Sequence, residues 1–248
     1  MRNTVRAIIG YCIALLLIVI GWAVVSWLVD SPALPLPWDA IGQFFTTLPQ
    51  MTPHIAISLW RVVAAMVTGT MFGLPLGLLI GRSERLERIA APLLYLLYPI
   101  PKVVFLPILM VLMGLGNAPK IVLIATVIFF QTLVTARGAA HAIAPESVTS
   151  VRSLGASPLQ IARHVVVPSS LPDVFTALRI SIGTAIAVLF LSETIAGSSG
   201  IGYYLMNAWS RLDYVAMFAG IIAMAAMGVG LYELINLIEH RMIRWKKR

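Results

Sequence analysis

The sequence is poor in charge and in cysteine. Only 11% of its 248 residues are charged and 59% belong to the hydrophobic set, with a mean hydropathy of +0.91. A soluble domain carries about 25% charged residues, so this composition excludes an ordinary soluble fold and indicates a protein embedded in lipid. Cys12 is the single cysteine, which excludes a disulfide within the chain and a cysteine-based zinc site.

Motifs for metal binding and nucleotide binding are also missing. The histidines, at 54, 141, 164 and 240, lack the spacing of metal ligands, so we expect no metal site. The apolar segments hold no cluster of a nucleophile with a base, which argues against an intramembrane enzyme. The dipeptide Gly-Lys does not occur, so no P-loop can be formed and the chain is predicted to hold no cofactor of its own.

Long apolar runs are what the sequence has instead. About 20 helical residues cover the apolar core of a bilayer, and six segments are long enough. The first, 7–29, is longer than the roughly 7–15 residues of a signal-peptide core and is predicted to be a retained helix. The Pro- and Trp-rich segment 31–53 predicts an interfacial excursion with short helices. The other spans are predicted at 55–80, 91–113 (interrupted by YPIPK), 119–139, 174–196 and 215–238.

The basic residues predict the direction of insertion. With the N-terminus inside, the inside segments hold 14 of the 18 Lys and Arg residues. The outside segments and the span interiors keep only Arg61, Lys102, Lys120 and Arg211. This distribution follows the positive-inside rule, so both termini are predicted to be cytoplasmic. The net charge of +8 is then explained without a nucleic-acid partner.

A glycine repeat marks the second span. Gly69, Gly73, Gly77 and Gly81 recur every four residues and therefore share one helix face. Small residues on one face allow close approach of another helix. We favour packing within the subunit, and the alternative is a dimer seam or a moving contact.

Polar residues inside the spans are candidates for a translocation pathway, because polar groups in a bilayer are costly. Glu193, with Ser192 beside it, predicts either a pathway residue at the outer end of the fifth span or an acid bonded to a neighbouring helix end. Gln131 predicts either a pathway residue or an interhelical hydrogen bond. For Lys102 we favour snorkelling or pairing with an acid over contact with an anionic solute. Arg61 is predicted to anchor a helix end at the interface.

Residues 140–173 are too polar for a span and too long for a turn. Apolar residues between Val148 and Ala162 follow a helical pattern, which Gly155 interrupts, and Pro158 is placed to begin a second short helix. The pattern predicts a helix–turn–helix with one apolar side. On residue chemistry alone, a docking surface and a helix lying on the membrane are equally favoured.

The segment RSLGAS, followed by SSLPDVFTALRISIG, resembles the cytoplasmic "EAA" loop of permease subunits of binding-protein-dependent ABC importers. In that family Glu-Ala-Ala is followed after three residues by Gly, and after nine more by Ile-x-Leu-Pro. Aligned on Gly155, Pro168 takes the family proline position and Val165 the isoleucine position. The first position falls on Thr149, so this chain lacks the acid of the motif.

The resemblance extends along the chain. YPIPKVVFLPILMVLMGLGNAPKIVLIA, SLWRVVAAMVTGTMFGLPLGLLIG and FLSETIAGSSGIGYYLMNAWSRLDYVAMFAGII are similar to spans of the nitrate/sulfonate/taurine branch. The likeness covers about 55–245, while 1–54, the first helix and the Pro/Trp-rich segment, matches only in type. It implies an all-α polytopic membrane protein with about six transmembrane helices, of the type I importer kind. A coupling helix pair is implied between spans four and five.

The resemblance implies a transport subunit and not an enzyme. Two permease subunits, the second one identical, would form the pathway for a small anionic, sulfonate- or nitrate-like solute in a prokaryotic inner membrane. Two ATPase subunits would bind ATP and Mg²⁺, and an extracytoplasmic binding protein would deliver the solute. A stand-alone secondary transporter or channel is the alternative, and it lacks support from a visible internal repeat. The loop residues implied to face the ATPase are Thr149, Gly155, Ala156, Ser157, Leu159, Ile161, Val165 and Pro168.

Gly155→Arg is expected to leave the protein in the membrane and to uncouple it from its motor, because a large side chain at the tip of the loop obstructs docking. Co-purification of an ATPase and uptake of solute measure this. Normal values for both would contradict the docking interpretation.

Overall fold

We describe a computed structural model of the chain for residues 2–243, with side chains for 9–195 and 197–243. The basic residues within 244–248, which contribute to the predicted insertion direction, lie outside the described residues. Within residues 2–243 the regular elements are all helical. They are α1 (Arg2–Val29), α2 (Pro37–Gly81), α3 (Glu84–Leu97), a 3₁₀ turn (Lys102–Phe105), α4 (Leu106–Met113), α5 (Asn117–His141), α6 (Pro145–Ser153), α7 (Pro158–Ile161), a π turn (Ala162–Val166), α8 (Val167–Ala196), α9 (Ile201–Ser210) and α10 (Tyr214–Met242).

Five of the six predicted spans are confirmed. Five helices are long and apolar enough to cross a membrane, namely α1, α2, α5, the helix that includes α7 and α8, and α10. α3 and the segment Lys102–Met113 are long and apolar enough only when taken together, and they are bent by 81° at the break, as in a broken span or a re-entrant loop. This break coincides with the YPIPK interruption, where two prolines remove backbone donors.

The prediction of short helices in 31–53 is wrong, because α2 is one helix of 45 residues that begins at Pro37. Pro37 suits the first helical position, and Asp39 in the first turn complements the helix dipole. Pro49 and Pro53 lie four residues apart on one face, so the remaining faces keep their hydrogen bonds. Met51 between them is fully buried, and packing therefore holds this part of the helix together.

The glycine face of α2 packs directly on α5. A Cβ added at Gly69 would lie 2.7 Å from a carbonyl oxygen of α5, and one at Gly77 would lie 2.5 Å from another. The helices are parallel and in register, since each step of four residues on α2 matches a step of four on α5. The contacts are Gly69 with Ala125, Gly73 with Phe129, Gly77 with Leu133 and Gly81 with Arg137.

This parallel register requires the bent segment to cross the membrane. The start of α5 meets Arg61, where Asn117 accepts a hydrogen bond, while Gly81 meets Arg137 near the end of α5. The distance from Arg61 to Gly81 is about 20 residues of helix, or about 30 Å, which matches the apolar core of a bilayer. The chain must return over this distance between Gly81 and Asn117, so α3 and α4 are one broken span.

The core lies between α2, α5, α8 and α10. Its fully buried members include Val62, Ile124, Ile128 and Leu189. At the end where α2 and α5 finish, Arg137 pairs with Glu87 and Arg179 pairs with Glu239, which ties α3 to α5 and α8 to α10. Helix α1 joins this bundle through few contacts. Most of the apolar side chains of α1 within residues 9–29 face outward, as expected for a helix surrounded by lipid.

Gly77→Val is expected to destabilise the protein severely, by several kcal/mol, because its side chain would overlap backbone of α5 that cannot move without separating the helices. Gly138→Ala in α5 is the matched control, since its added Cβ meets nothing within 4 Å. It should be neutral or stabilising by up to about 1 kcal/mol. Thermal unfolding in detergent measures both variants, and equal stability of the two would contradict close packing at this face.

Candidate functional site

The loop between α5 and α8 is built from two helical pieces and a tight turn. α6 begins at Pro145, and the hydroxyl of Thr149 donates to the carbonyl of Pro145 at 2.9 Å. Gly155 has φ +83°, a left-handed conformation that favours glycine, and it lies at an open tip where an added Cβ would meet nothing within 4 Å. The structure therefore places a required turn at the position that the motif assigns to glycine.

The second piece begins with a capping box. The N–H of Gln160 donates to the Ser157 hydroxyl at 3.3 Å, and the N–H of Ser157 donates to the Gln160 side chain at 2.7 Å. Pro158 occupies the first helical position. The sequence Ser-Pro-Leu-Gln carries this signal, although the prediction for the tip residues made no use of it. From Pro158 the helix runs on through the π turn into α8, so the predicted second helix is the beginning of the fifth span.

The apolar side of the loop divides into two sets. Val148 and Ile161 are 4% and 7% exposed and pack against the ends of α2, α5 and α8, together with half-buried Ala156 and Val165. The prediction that Ile161 offers a contact to a partner is wrong, because this residue anchors the loop to its own bundle. Exposed apolar surface remains at Leu154 and Leu159, which are 86% and 78% exposed. Of the other residues assigned to the loop, Pro168 is half-buried in the first turn of α8 and Thr149 is exposed.

A buried polar network lies at the opposite end of the bundle. Arg61 is 1% exposed and donates to Glu193 at 2.6 Å, to Asn117 at 2.7 and 2.9 Å, and to the Ser199 hydroxyl at 2.9 Å. The prediction that Arg61 anchors a helix end is wrong, because α2 extends far beyond it in both directions and its side chain is buried within the bundle. Its guanidinium instead joins α2, α5 and the segment after α8, an arrangement that suits its forked donors.

Glu193 is completely enclosed by this network. Besides Arg61, its carboxylate accepts hydrogen bonds from the Ser58 hydroxyl at 2.8 Å and from the N–H of Gly202, at the start of α9, at 2.8 Å. A Cβ added at Gly200, which has φ +107°, would overlap the carboxylate. The turn GSSGIG therefore packs closely around the Glu193 carboxylate, and glycine occupies the position where the backbone comes nearest to it. The acid is bonded to a neighbouring helix end, as one of the two interpretations of the sequence expected.

Ser192 is also fully buried, and its hydroxyl donates to the carbonyl of Leu189 at 2.8 Å. A solute can reach neither Ser192 nor Glu193 in this conformation, since both are 0% exposed. Their role in a pathway stays a prediction.

Lys102 and Gln131 both line a cavity of about 320 Å³ at the break of the third span. The ammonium of Lys102 donates to the carbonyls of Leu97, Tyr98 and Ile100 at 2.6, 2.9 and 2.8 Å, so its three N–H bonds are occupied. It thereby satisfies carbonyls that the helix break exposes. The side-chain oxygen of Gln131 is buried and has no partner in the described part of the chain. Of the four candidate pathway residues, Ser192 and Glu193 therefore lie at the buried polar network, and Lys102 and Gln131 lie at the cavity beside the helix break.

Comparison with known proteins identifies the family. The model of the family "Binding-protein-dependent transport system inner membrane component" matches residues 73–244, well over half of the chain. The chain belongs to this family.

Two relatives of this chain are also named transport permeases. The taurine transport system permease protein TauC of Escherichia coli K12 is 29% identical over 237 residues, covering 92% of this chain and 86% of that protein. The putative aliphatic sulfonates transport permease protein SsuC of the same strain is 30% identical over 223 residues, covering 89% and 84%. An inward-facing structure of the MetNI methionine ABC transporter matches with a TM-score of 0.65 at 21% identity, covering 81% of this chain and 99% of that chain.

These findings confirm the resemblance to the taurine and sulfonate branch and the type I importer fold. The permease is a multi-pass membrane protein of an importer. The inward-facing match agrees with the all-helical bundle and concerns the fold alone.

Removing one partner of the buried ion pair is expected to destabilise the permease strongly. Arg61→Met or Glu193→Gln alone should each cost about 3–5 kcal/mol, because each leaves an uncompensated buried polar partner. The double variant should cost clearly less than the sum of the two. Thermal unfolding of the four proteins in detergent measures this coupling, with Glu233→Gln, at an exposed acid, as a mild control. Additive losses would contradict the assignment of Arg61 and Glu193 as one unit.

Proposed function

We propose that the permease, paired with an identical second copy, forms the pathway for a small sulfonate-like or related anionic solute in an ATP-driven importer. Two separate ATPase subunits bind ATP and Mg²⁺, and an extracytoplasmic binding protein delivers the solute. The observation that carries the motor-coupled part is the exposed pair Leu154 and Leu159 at the tip of a loop that is otherwise packed against its own bundle. Exposed apolar side chains on a loop that is held firmly against the bundle are suited to contact with another protein.

The loop is mechanically connected to the bundle. Val148 and Ile161 fix it against the ends of three helices, and the helix that starts at Pro158 is continuous with α8 as far as Glu193. A displacement of the tip is therefore expected to move α8 as a rigid body. This single element spans the distance between the tip and the buried network at Glu193, which is about 35 residues or about 50 Å of helix.

The proposed direction of insertion has both termini in the cytoplasm. Arg82, Arg85 and Arg88 lie in the turn and first residues after α2, at the same end of the bundle as the loop. The opposite end, with the 197–202 turn and α9, carries Arg211 as its exposed basic residue among those described. This asymmetry supports a cytoplasmic loop and an outward-facing α9.

The sulfonate-like solute is supported by the names of two relatives, which are a taurine transport permease and a putative aliphatic sulfonates transport permease. The balance of buried charge in the permease is also consistent with an anionic solute. Among the residues buried in the described part are the two cations Arg61 and Lys120 and the single acid Glu193.

Leu154→Asp combined with Leu159→Asp is expected to abolish ATPase co-purification without unfolding the permease, because both side chains are exposed and charge there disfavours an apolar contact. Leu212→Asp is the matched control, an exposed leucine at the opposite end in a left-handed conformation that Asp accepts well. The measurement is mass spectrometry of the subunits that stay bound to the tagged permease after gentle solubilisation.

Retention of a P-loop ATPase by the wild type and by Leu212→Asp, with its loss from the double variant, is the expected result. If the double variant keeps the ATPase, the loop is not the docking surface. If the wild type is isolated alone and still moves solute in vesicles, the protein works without a motor, as a secondary transporter or channel does. Because Gly155 has positive φ, the leucine variants test docking with less backbone strain than Gly155→Arg.

A further inference from the structure

A cavity of about 290 Å³ lies between the α5–α8 loop and the end of α2. Apart from two arginines, Arg82 and Arg152, all of its lining residues are apolar. Leu78 lines it on the α2 side, and Val148 and Ile161 line it on the loop side. One cation comes from the end of α2 and the other from α6 in the loop. The cavity is therefore amphipathic, with an apolar wall and two cations.

The charges of these two arginines are not neutralised by the protein. All ten Asp and Glu side chains belong to the described part of the chain, and none of them forms an ion pair with Arg82 or Arg152. Arg137, at the same end of the bundle, does have such a partner in Glu87. Both cavity arginines lie at the C-terminal end of a helix, whose partial negative charge is about half a unit and offsets only part of each cation. The cavity therefore carries an excess of positive charge and attracts an anion.

The cavity lies where the bundle leaves the apolar core of the bilayer. Arg82 directly follows the last residue of α2, and the part of α2 that leads back to Arg61 covers about 30 Å, the thickness of that core. Leu79 in the last turn of α2 is 59% exposed and also lines the cavity, which therefore opens beside an outward-facing apolar surface. The anions at this depth are the phosphates of membrane lipids. Basic pockets between helices at the cytoplasmic surface are suited to bind such headgroups.

We propose that this cavity binds an anionic phospholipid, such as phosphatidylglycerol. Its phosphate lies between Arg82 and Arg152, whose forked N–H groups each suit two phosphate oxygens. The first part of an acyl chain lies against Leu78 and Leu79. Because one arginine belongs to α2 and the other to the loop, the lipid connects the loop to the bundle. The assignment to the cytoplasmic leaflet rests on the insertion direction proposed above, whereas the binding of the lipid does not.

The test measures how lipids change the thermal unfolding of the purified, delipidated permease, with whatever subunits accompany it. The probes are phosphatidylglycerol and phosphatidylcholine with the same acyl chains, and inorganic phosphate. A ligand that binds the folded state raises the unfolding temperature according to its concentration and affinity. The variants are Arg82→Gln, Arg152→Gln and both together, and a double variant with Lys at both positions keeps the charge. Arg85→Gln is the matched control, since this cation is exposed at the same end and does not line the cavity.

Phosphatidylglycerol is expected to raise the unfolding temperature of the wild type, of Arg85→Gln and of the double Lys variant more than phosphatidylcholine does. Arg82→Gln and Arg152→Gln should each lose about tenfold in apparent affinity for phosphatidylglycerol, the equivalent of one charge-assisted contact. The double Gln variant should respond equally to the two lipids. Inorganic phosphate should have little effect, because it has no apolar part to contact the cavity wall.

Three results would overturn the proposal. Equal stabilisation of the wild type and the double Gln variant by phosphatidylglycerol would place the lipid elsewhere, and a simultaneous loss of ATPase co-purification would assign both arginines to docking. An equal effect of the two lipids on the wild type would exclude selection of an anionic headgroup. Stabilisation by inorganic phosphate as strong as that by phosphatidylglycerol would assign the cavity to a soluble anion. The measurement requires neither an ATPase nor transport, so a failure of the importer proposal and a failure of the lipid site are distinguishable.

Discussion

The close parallel contact of α2 and α5 is the constraint on which the rest of the structure depends. Carbonyl oxygens of α5 occupy the space that side chains on the glycine face of α2 would fill, so the two backbones touch along about 12 residues. Because the helices point the same way, the chain between them must cross the bilayer again. The broken span is the part of the chain that makes this crossing. At its break the ammonium of Lys102 donates hydrogen bonds to the carbonyls that the helix leaves without partners.

The same contact defines two different ends of the bundle. At one end the register brings Arg61 to Asn117, and the buried network forms around Glu193. At the other end Gly81 meets Arg137, and the loop packs against the ends of the helices through Val148. Helix α8 connects both ends without interruption. The helix from Pro158 through α8 therefore joins the loop to the turn that encloses Glu193.

Local signals in the sequence were enough to predict most of the helices and the turn of the loop. Apolar length located the spans, the two prolines of YPIPK located the break, and Gly155 located the turn, because each of these depends on neighbouring residues alone. Two misplacements had another cause. Pro49 and Pro53 suggested breaks, yet burial of Met51 against α9 and α10 keeps α2 continuous. Ile161 belongs to an apolar stripe, and the stripe does not reveal which of its members the bundle itself covers.

The sequence by itself determined a six-span helical membrane protein, its family resemblance and the glycine face, since composition, periodicity and spacing are properties of adjacent residues. Only the tertiary structure decided which polar residues belong together. Arg61 is separated from Asn117 by 56 residues and from Glu193 by 132, and no local pattern connects them. Their meeting follows from the register of packed helices.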